Sequence, residues 1–147
     1  MAGANPEPPL APYLTVDNAA AAIVFYTHVF GGTEMTRQEA PDGKIIHATL
    51  DINGGTLFLS DDFEGRTPLS LGGSPITIHV TTADVDGPWN RALAAGATVG
   101  MPLEDQFWGS RYGIFVDPFG HRWSLGTPAK EVSEEDLRKG AEAAFKA

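Results

Sequence analysis

Two histidines, His47 and His79, lie in stretches where apolar and polar residues alternate, so each can project an imidazole from one side of a β-strand. His47 shares its side with Thr49, and His79 shares its side with Thr77 and Thr81, a polar lining suited to a binding cleft. For both, a hydrogen-bonded structural or solvent-facing role remains the competing reading. His28 falls opposite the apolar side of a helix and reads as solvated, and His121 follows a tight turn and reads as structural or exposed.

A third candidate is Phe107-Trp108-Gly109-Ser110-Arg111-Tyr112, with aromatics, a flexible glycine and a guanidinium at a loop-to-strand junction. It could wall a pocket, with Arg111 meeting an anionic or carbonyl-bearing ligand through its fork of donors. Alternatively Trp108 covers a core and Arg111 pairs with a surface carboxylate. Trp89 and Trp123 read as core. Other chemistries are excluded directly. The chain has no cysteine, and it contains no Gly-x-x-x-x-Gly-Lys phosphate loop, no His-Glu-x-x-His and no Gly-x-Ser-x-Gly.

The elements that must position these residues repeat. After a proline-rich arm (Pro6, Pro8, Pro9, Pro12), a strand at Tyr13–Val16 meets a cap at Asp17 or Asn18, and a helix runs from Ala19 to Phe30, stopped by Gly31-Gly32. Strands at 33–39, 45–52 and 56–60 follow, separated by Pro41-Asp42-Gly43 and Asn53-Gly54-Gly55. From Pro75 the order recurs: a strand at 76–81, a cap at Asp84 or Asp86, a helix with Pro88 in its first turn, and strands near 98–101, 112–116 and 122–125. Trp89, Ala92 and Leu93 form the inner face of that helix. Asp117-Pro-Phe-Gly120 has type I turn chemistry, with Asp51-Ile-Asn-Gly54 as its counterpart.

Two units of one size, each too small to close a core alone, predict a duplicated α+β fold. Module one spans about 10–62, a linker covers 61–74, module two spans about 75–127, and a short C-terminal helix begins at the capping sequence Ser133-Glu-Glu-Asp136 and ends near 145.

At 147 residues, 42% hydrophobic and 20% charged, the chain suits one globular domain. The net charge of −9 argues against nucleic acid and anionic membranes as partners, leaving a small-molecule ligand as the default. Without cysteine, signal peptide or a long apolar run, a cytoplasmic location is expected.

Specific strings then narrow the fold. Pro12-Tyr-Leu-Thr-Val-Asp17, Phe25-Tyr26 with Phe30-Gly31, Asp42-Gly-Lys-Ile-Ile-His-Ala48, Trp108-Gly109 before Arg111-Tyr-Gly113, and Asp117-Pro-Phe-Gly-His-Arg-Trp123 resemble the PhnB-like branch of the vicinal oxygen chelate superfamily (glyoxalases, bleomycin-resistance proteins, dioxygenases). The resemblance implies two tandem βαβββ modules whose curled mixed sheets surround a cleft, and a homodimer.

Metal-using members of this superfamily hold a divalent ion with a first-strand histidine or similar ligand and a last-strand glutamate in each module. Aligning the two halves of this chain puts Ala11 and Thr77 at the first positions and Phe58 and Ser124 at the last, with His79 available if the first strand slips by two residues. A methyl, a phenyl and two hydroxyls cannot bind a first-row metal.

The resemblance therefore implies a binding or sequestering protein without cofactor, as in bleomycin- and mitomycin-binding relatives. Phe58, Trp108 and Tyr112 would supply apolar contact, and His47, Thr77, His79, Arg111 and Ser124 would supply orientation. The alternative is a divalent-metal-dependent glyoxalase-type isomerase, lyase or dioxygenase. In it, His47 and His79 would converge with Glu39, Glu104 or Asp105.

Overall fold

The computed structural model describes residues 7–146. The chain divides into two compact units at the Leu71–Gly72 boundary, each with a four-stranded mixed sheet.

In the first unit, β1 (Tyr13–Val16) leads into α1 (Ala19–Phe30), then β2 (Thr33–Glu39), β3 (Ile45–Ile52) and β4 (Gly55–Asp61). The sheet order is β1-β4-β3-β2, with β1 and β4 parallel and the other pairs antiparallel. Asn18 caps α1 by accepting a hydrogen bond from the Ala21 amide at 3.0 Å, and Gly31, at φ 67°, ends it in the left-handed conformation that glycine adopts without strain. Asp61 ties the unit together: its Oδ1 accepts from the Ala19 amide at 2.8 Å and its Oδ2 from the Ile45 amide at 2.7 Å. One carboxylate thus joins the start of α1, the start of β3 and the end of β4. The β3–β4 hairpin turns on Asn53 (φ 52°) and Gly54 (φ 83°), the paired positive dihedrals of a two-residue type I′ turn. Val16, Ala22, Tyr26, Val29, Leu50 and Leu59 are fully buried where α1 packs on one face of the sheet.

The second unit repeats the plan with β5 (Thr77–Thr81), α3 (Asp86–Ala94), β6 (Thr98–Asp105), β7 (Arg111–Val116) and β8 (Arg122–Gly126), in the order β5-β8-β7-β6. The cap expected at Asp84 or Asp86 falls to Asp84, which accepts from the Gly87 amide at 3.1 Å, although Val85 is the residue that borders the helix. Trp89 and Ala92 are buried and Leu93 is half-buried. Trp89 meets Phe115 edge to face at 6.0 Å, and Phe115, Trp123 and Leu125 are buried.

Asp117 anchors the turn before β8. Its Oδ1 accepts from the amides of Phe119 (2.9 Å) and His121 (3.0 Å), and its Oδ2 accepts from Trp123 Nε1 (2.9 Å). Beyond Pro128, α4 (Glu134–Ala144) starts at Ser133, whose hydroxyl accepts from the Asp136 amide at 3.1 Å, with three acidic residues in its first turn.

Three boundaries differ from the sequence expectation. β6 continues to Asp105 through Pro102, because it is an edge strand and its register shifts between Val99 and Met101 and between Met101 and Glu104 absorb the missing donor. Asp61 closes β4 instead of opening a linker. Pro68–Leu71 forms a short helix, α2, at whose start Thr67 and Ser70 exchange amide-to-hydroxyl hydrogen bonds of 2.8 and 3.2 Å. None of the described helices is long and apolar enough to cross a membrane.

Removing the Asp117 carboxylate strands three donors, two of them in buried residues. Asp117→Ala should cost about 3 kcal/mol, read as a lower urea midpoint, whereas Asp51→Ala, which loses one hydrogen bond to the Gly54 amide in a partly exposed hairpin, should cost under about 1 kcal/mol.

Candidate functional site

α1 and α3 each lie on one face of their sheet, and the opposite face is the candidate site. Strand alternation decides which side chains lie there. On the first sheet, Leu14, Val16, Ala48, Leu50, Leu57 and Leu59 are buried, and their neighbours Tyr13, Thr15, His47, Thr49, Phe58 and Ser60 take the other face. The register sets Tyr13 beside Phe58 and Thr49 beside Phe58 from the other side. Three rings gather: His47 to Phe58 at 4.9 Å, Tyr13 to His47 at 5.3 Å and Tyr13 to Phe58 at 5.7 Å between centroids. Both His47 nitrogens are engaged, Nδ1 with the Tyr13 hydroxyl at 2.9 Å and Nε2 with Thr49 Oγ1 at 3.0 Å.

Along the same face, Thr15 and Ser60 border a depression of about 340 Å³ that also includes Asp62 and Phe63. The Asp62 carboxyl is held below the usual carboxylate range by hydrogen bonds from the amides of Glu64, Arg66 and Gly65.

On the second sheet the corresponding face carries Thr77, His79, Tyr112 and Ser124. Ser124 is buried and its Oγ lies 2.7 Å from His79 Nδ1. The His79 ring lies near-parallel to Tyr112, with centroids 5.9 Å apart and an interplanar angle of 23°. Trp108 meets Tyr112 edge to face at 5.4 Å, and Phe107 meets Trp108 at 5.1 Å. Thr77 Oγ1 accepts from Arg122 Nε at 3.2 Å.

Of the eight candidate ligand contacts, the structure thus groups His47 with Phe58 on one sheet, and Thr77, His79, Trp108, Tyr112 and Ser124 on the other. Arg111 stands apart. Adjacent to Tyr112 in β7, it points to the helix-bearing face, where it makes a two-pronged ion pair with Asp86 of α3 (2.9 and 3.2 Å) and a longer one with Asp105 (3.7 Å). Hydrogen bonding to Asp86 raises the Arg111 pKa further. There it borders a separate, shallow depression of about 380 Å³ walled by Trp89, Val99 and Leu103.

Two contributors were not singled out from the sequence. Tyr13 is one, because the parallel register that places it against Phe58 is not written in any turn. Gly126 is the other: a Cβ there would stand 3.0 Å from His79 Cε1 and 3.4 Å from Tyr112 Cδ2, so only glycine leaves both rings their present positions.

Residues 9–125 match the family model described as Glyoxalase/Bleomycin resistance protein/Dioxygenase superfamily. The chain belongs to this superfamily. It is 54% identical over 140 residues to the uncharacterized protein Mb0911c of Mycobacterium bovis, covering 91% of this chain and 92% of that one. Among solved structures, TioX from Micromonospora sp. ML1 is 32% identical with a TM-score of 0.64, over 84% of this chain and 98% of that one. The PhnB protein from Bacillus cereus shares the fold at 21% identity and a TM-score of 0.69, over 82% of this chain and all of that one.

The strand pairing differs from the alignment of the two halves made on the sequence. The residue facing Phe58 across β1–β4 is Tyr13, not Ala11, and the residue facing Ser124 across β5–β8 is His79, not Thr77. The slip of two residues keeps the strand face and changes the donors. The resulting set is a phenol, a phenyl, an imidazole already bonded to serine, and that serine. It does not fit a divalent first-row ion, which asks for several imidazole or carboxylate donors. Among the described residues no group of three or more His, Asp or Glu side chains is placed to hold a metal. Of the three carboxylates considered as alternative partners, Glu39 pairs with Arg37 and Asp105 with Arg111.

Support for the Trp108 wall comes from α4, whose Gly140 lies against Phe107. A Cβ at Gly140 would stand 2.5 Å from Phe107 Cγ. Gly140→Ala should therefore lift α4 from that ring. Hydrogen exchange of the α4 amides should accelerate about tenfold while β7 and β8 stay protected.

Proposed function

We propose that this member of the superfamily is a metal-free small-molecule binding or sequestering protein that takes up a planar, partly aromatic ligand. The observation that carries this reading is the clustering of Tyr13, His47 and Phe58 on the sheet face opposite α1. Rings in that arrangement offer apolar area and edge-to-face partners for a further ring. His79, Tyr112 and Trp108 provide the equivalent surface on the second sheet. The neighbouring depression of about 340 Å³ lies within the size range of small-molecule sites. Small-molecule binding and a cytoplasmic homodimer are both consistent with the sequence resemblance, and the dimer is part of the proposal. Sedimentation at micromolar concentrations should give twice the chain mass, and a monomer throughout would remove that part of the reading.

The binding claim has a direct test. Titration with Zn²⁺, Ni²⁺, Co²⁺ or Mn²⁺ should produce no stoichiometric uptake by calorimetry, and 2-ethylnaphthalene, a purely apolar aromatic probe, should show saturable binding by NMR. Phe58→Ala and Trp108→Ala should each weaken the probe about three- to tenfold, whereas Arg111→Gln, on the opposite face, should leave it unchanged. Tight single-site metal binding, or no saturable binding of the aromatic probe, would overturn the proposal.

A further inference from the structure

The sheet faces opposite α1 and α3 carry histidines of different standing. His47 has both ring nitrogens occupied within the protein, by Tyr13 and Thr49. His79 has only Nδ1 occupied, by Ser124; among the described residues neither its Nε2 nor the Tyr112 hydroxyl has a hydrogen-bond partner.

The state of that imidazole follows from the serine. Ser124 is 2% exposed, and His79 Nδ1 is the one described partner of its hydroxyl. If Nδ1 carried the hydrogen, Ser124 would have to accept it, and its own hydroxyl hydrogen would be buried with no acceptor. That arrangement costs the desolvation of a polar hydrogen. The favourable arrangement has the Ser124 hydroxyl donating to Nδ1, which leaves the hydrogen of the neutral ring on Nε2. The exposed tip of His79 is then an N–H donor of fixed direction. Beside it stands the ring of Tyr112, with centroids 5.9 Å apart and a tilt of only 23°. Gly126, on the strand between them, holds no side chain that would fill the gap.

We infer that Ser124 is a positioning residue that sets His79 as a hydrogen-bond donor, and that His79 Nε2–H with the Tyr112 hydroxyl recognises an acceptor oxygen on a planar ligand, an aryl ketone or related aryl carbonyl compound. This rests on the binding reading above and adds the chemical class of the ligand. A carbonyl oxygen matches this pair of neutral donors; the net charge of −9 disfavours an anion, and Arg122, the guanidinium on this face, is turned to Thr77 Oγ1 at 3.2 Å.

The test compares 2-acetylnaphthalene with 2-ethylnaphthalene, probes of similar size that differ in the carbonyl oxygen. The ketone should bind the native protein about tenfold more tightly by NMR titration, as one or two added hydrogen bonds permit. His79→Phe, which keeps a ring at an exposed position, should abolish the preference of the ketone over 2-ethylnaphthalene. Ser124→Ala should reduce the ratio to about threefold or less, a change in selectivity that a merely structural role for Ser124 would not produce.

Independently of any ligand, the ¹⁵N resonances of His79 in the native protein should show Nε2 protonated and Nδ1 not. Equal affinity for the two probes, or an Nδ1-protonated ring, overturns this inference and leaves the binding reading intact. Failure of both probes to bind overturns both.

Discussion

The parallel pairing of the first and last strands of each unit is the constraint on which the remaining structure depends. Antiparallel neighbours can be joined by a two-residue turn, as β3 and β4 are, but a parallel pair needs a connection that carries the chain back to its starting end. Here that return runs through α1 or α3 and two further strands. The helix therefore packs on one face of its sheet, and the opposite face is lined by the alternate side chains of the strands. The pairing also has a register, and the register makes Tyr13 the neighbour of Phe58 and His79 the neighbour of Ser124. Which groups meet on the open face is decided there, before any side chain chooses a rotamer. Asp61 reinforces the same constraint, since its two oxygens bind the helix start and the β3 start to the end of the last strand.

Equivalent positions in the two units show how one backbone plan supports different chemistry. The offset that relates Phe58 to Ser124 also relates Asn18 to Asp84, and in both units that residue caps the helix through the amide three residues on. It relates Tyr13 to His79 as well. On the neighbouring central strands His47 matches Tyr112, because each stands two residues before the partner of Phe58 or Ser124. Histidine and tyrosine have thus exchanged strands between the units. On β3 the imidazole is near two hydroxyls and satisfies both nitrogens. On β5, an edge strand, it finds one buried hydroxyl and keeps one nitrogen exposed.

Much of this was legible in the sequence, and the gaps have physical causes. Helix α1 and strands β2 and β3 were readable to the residue, because a cap, a left-handed glycine and two turns punctuate them. The parallel register was not, since no tight turn joins β1 to β4 or β5 to β8 to fix it. Aligning the halves therefore put Ala11 and Thr77 where Tyr13 and His79 belong, on the right face and one ladder step away. Arg111 is a different case. The expected strand began at Tyr112 and left Arg111 on the loop; β7 begins at Arg111 instead, and alternation then turns Arg111 and Tyr112 to opposite faces. The extension of β6 past Pro102 depended on bulges, which composition does not announce.

Polar satisfaction separates the two faces more sharply than their ring content does. Folded chains pair their buried polar groups almost without exception, and no buried side-chain nitrogen or oxygen among the described residues lacks a partner here. A polar group that the fold orients and still leaves without a protein partner is therefore informative. On the first sheet, Tyr13, His47 and Thr49 are bonded to one another and Tyr13 also donates to the Ile46 carbonyl, and what they present outward is mainly ring surface. On the second, Ser124 gives its bond to His79 and passes the unmet demand to Nε2 at the surface. The fold has fixed the direction of that N–H, so a partner arriving there meets a donor whose orientational entropy is already lost. Metal ligation would instead need that same nitrogen as a lone pair, with further imidazole or carboxylate donors beside it. The strand plan is thus repeated in the two units, with a ring cluster on one sheet and a serine-bonded imidazole on the other.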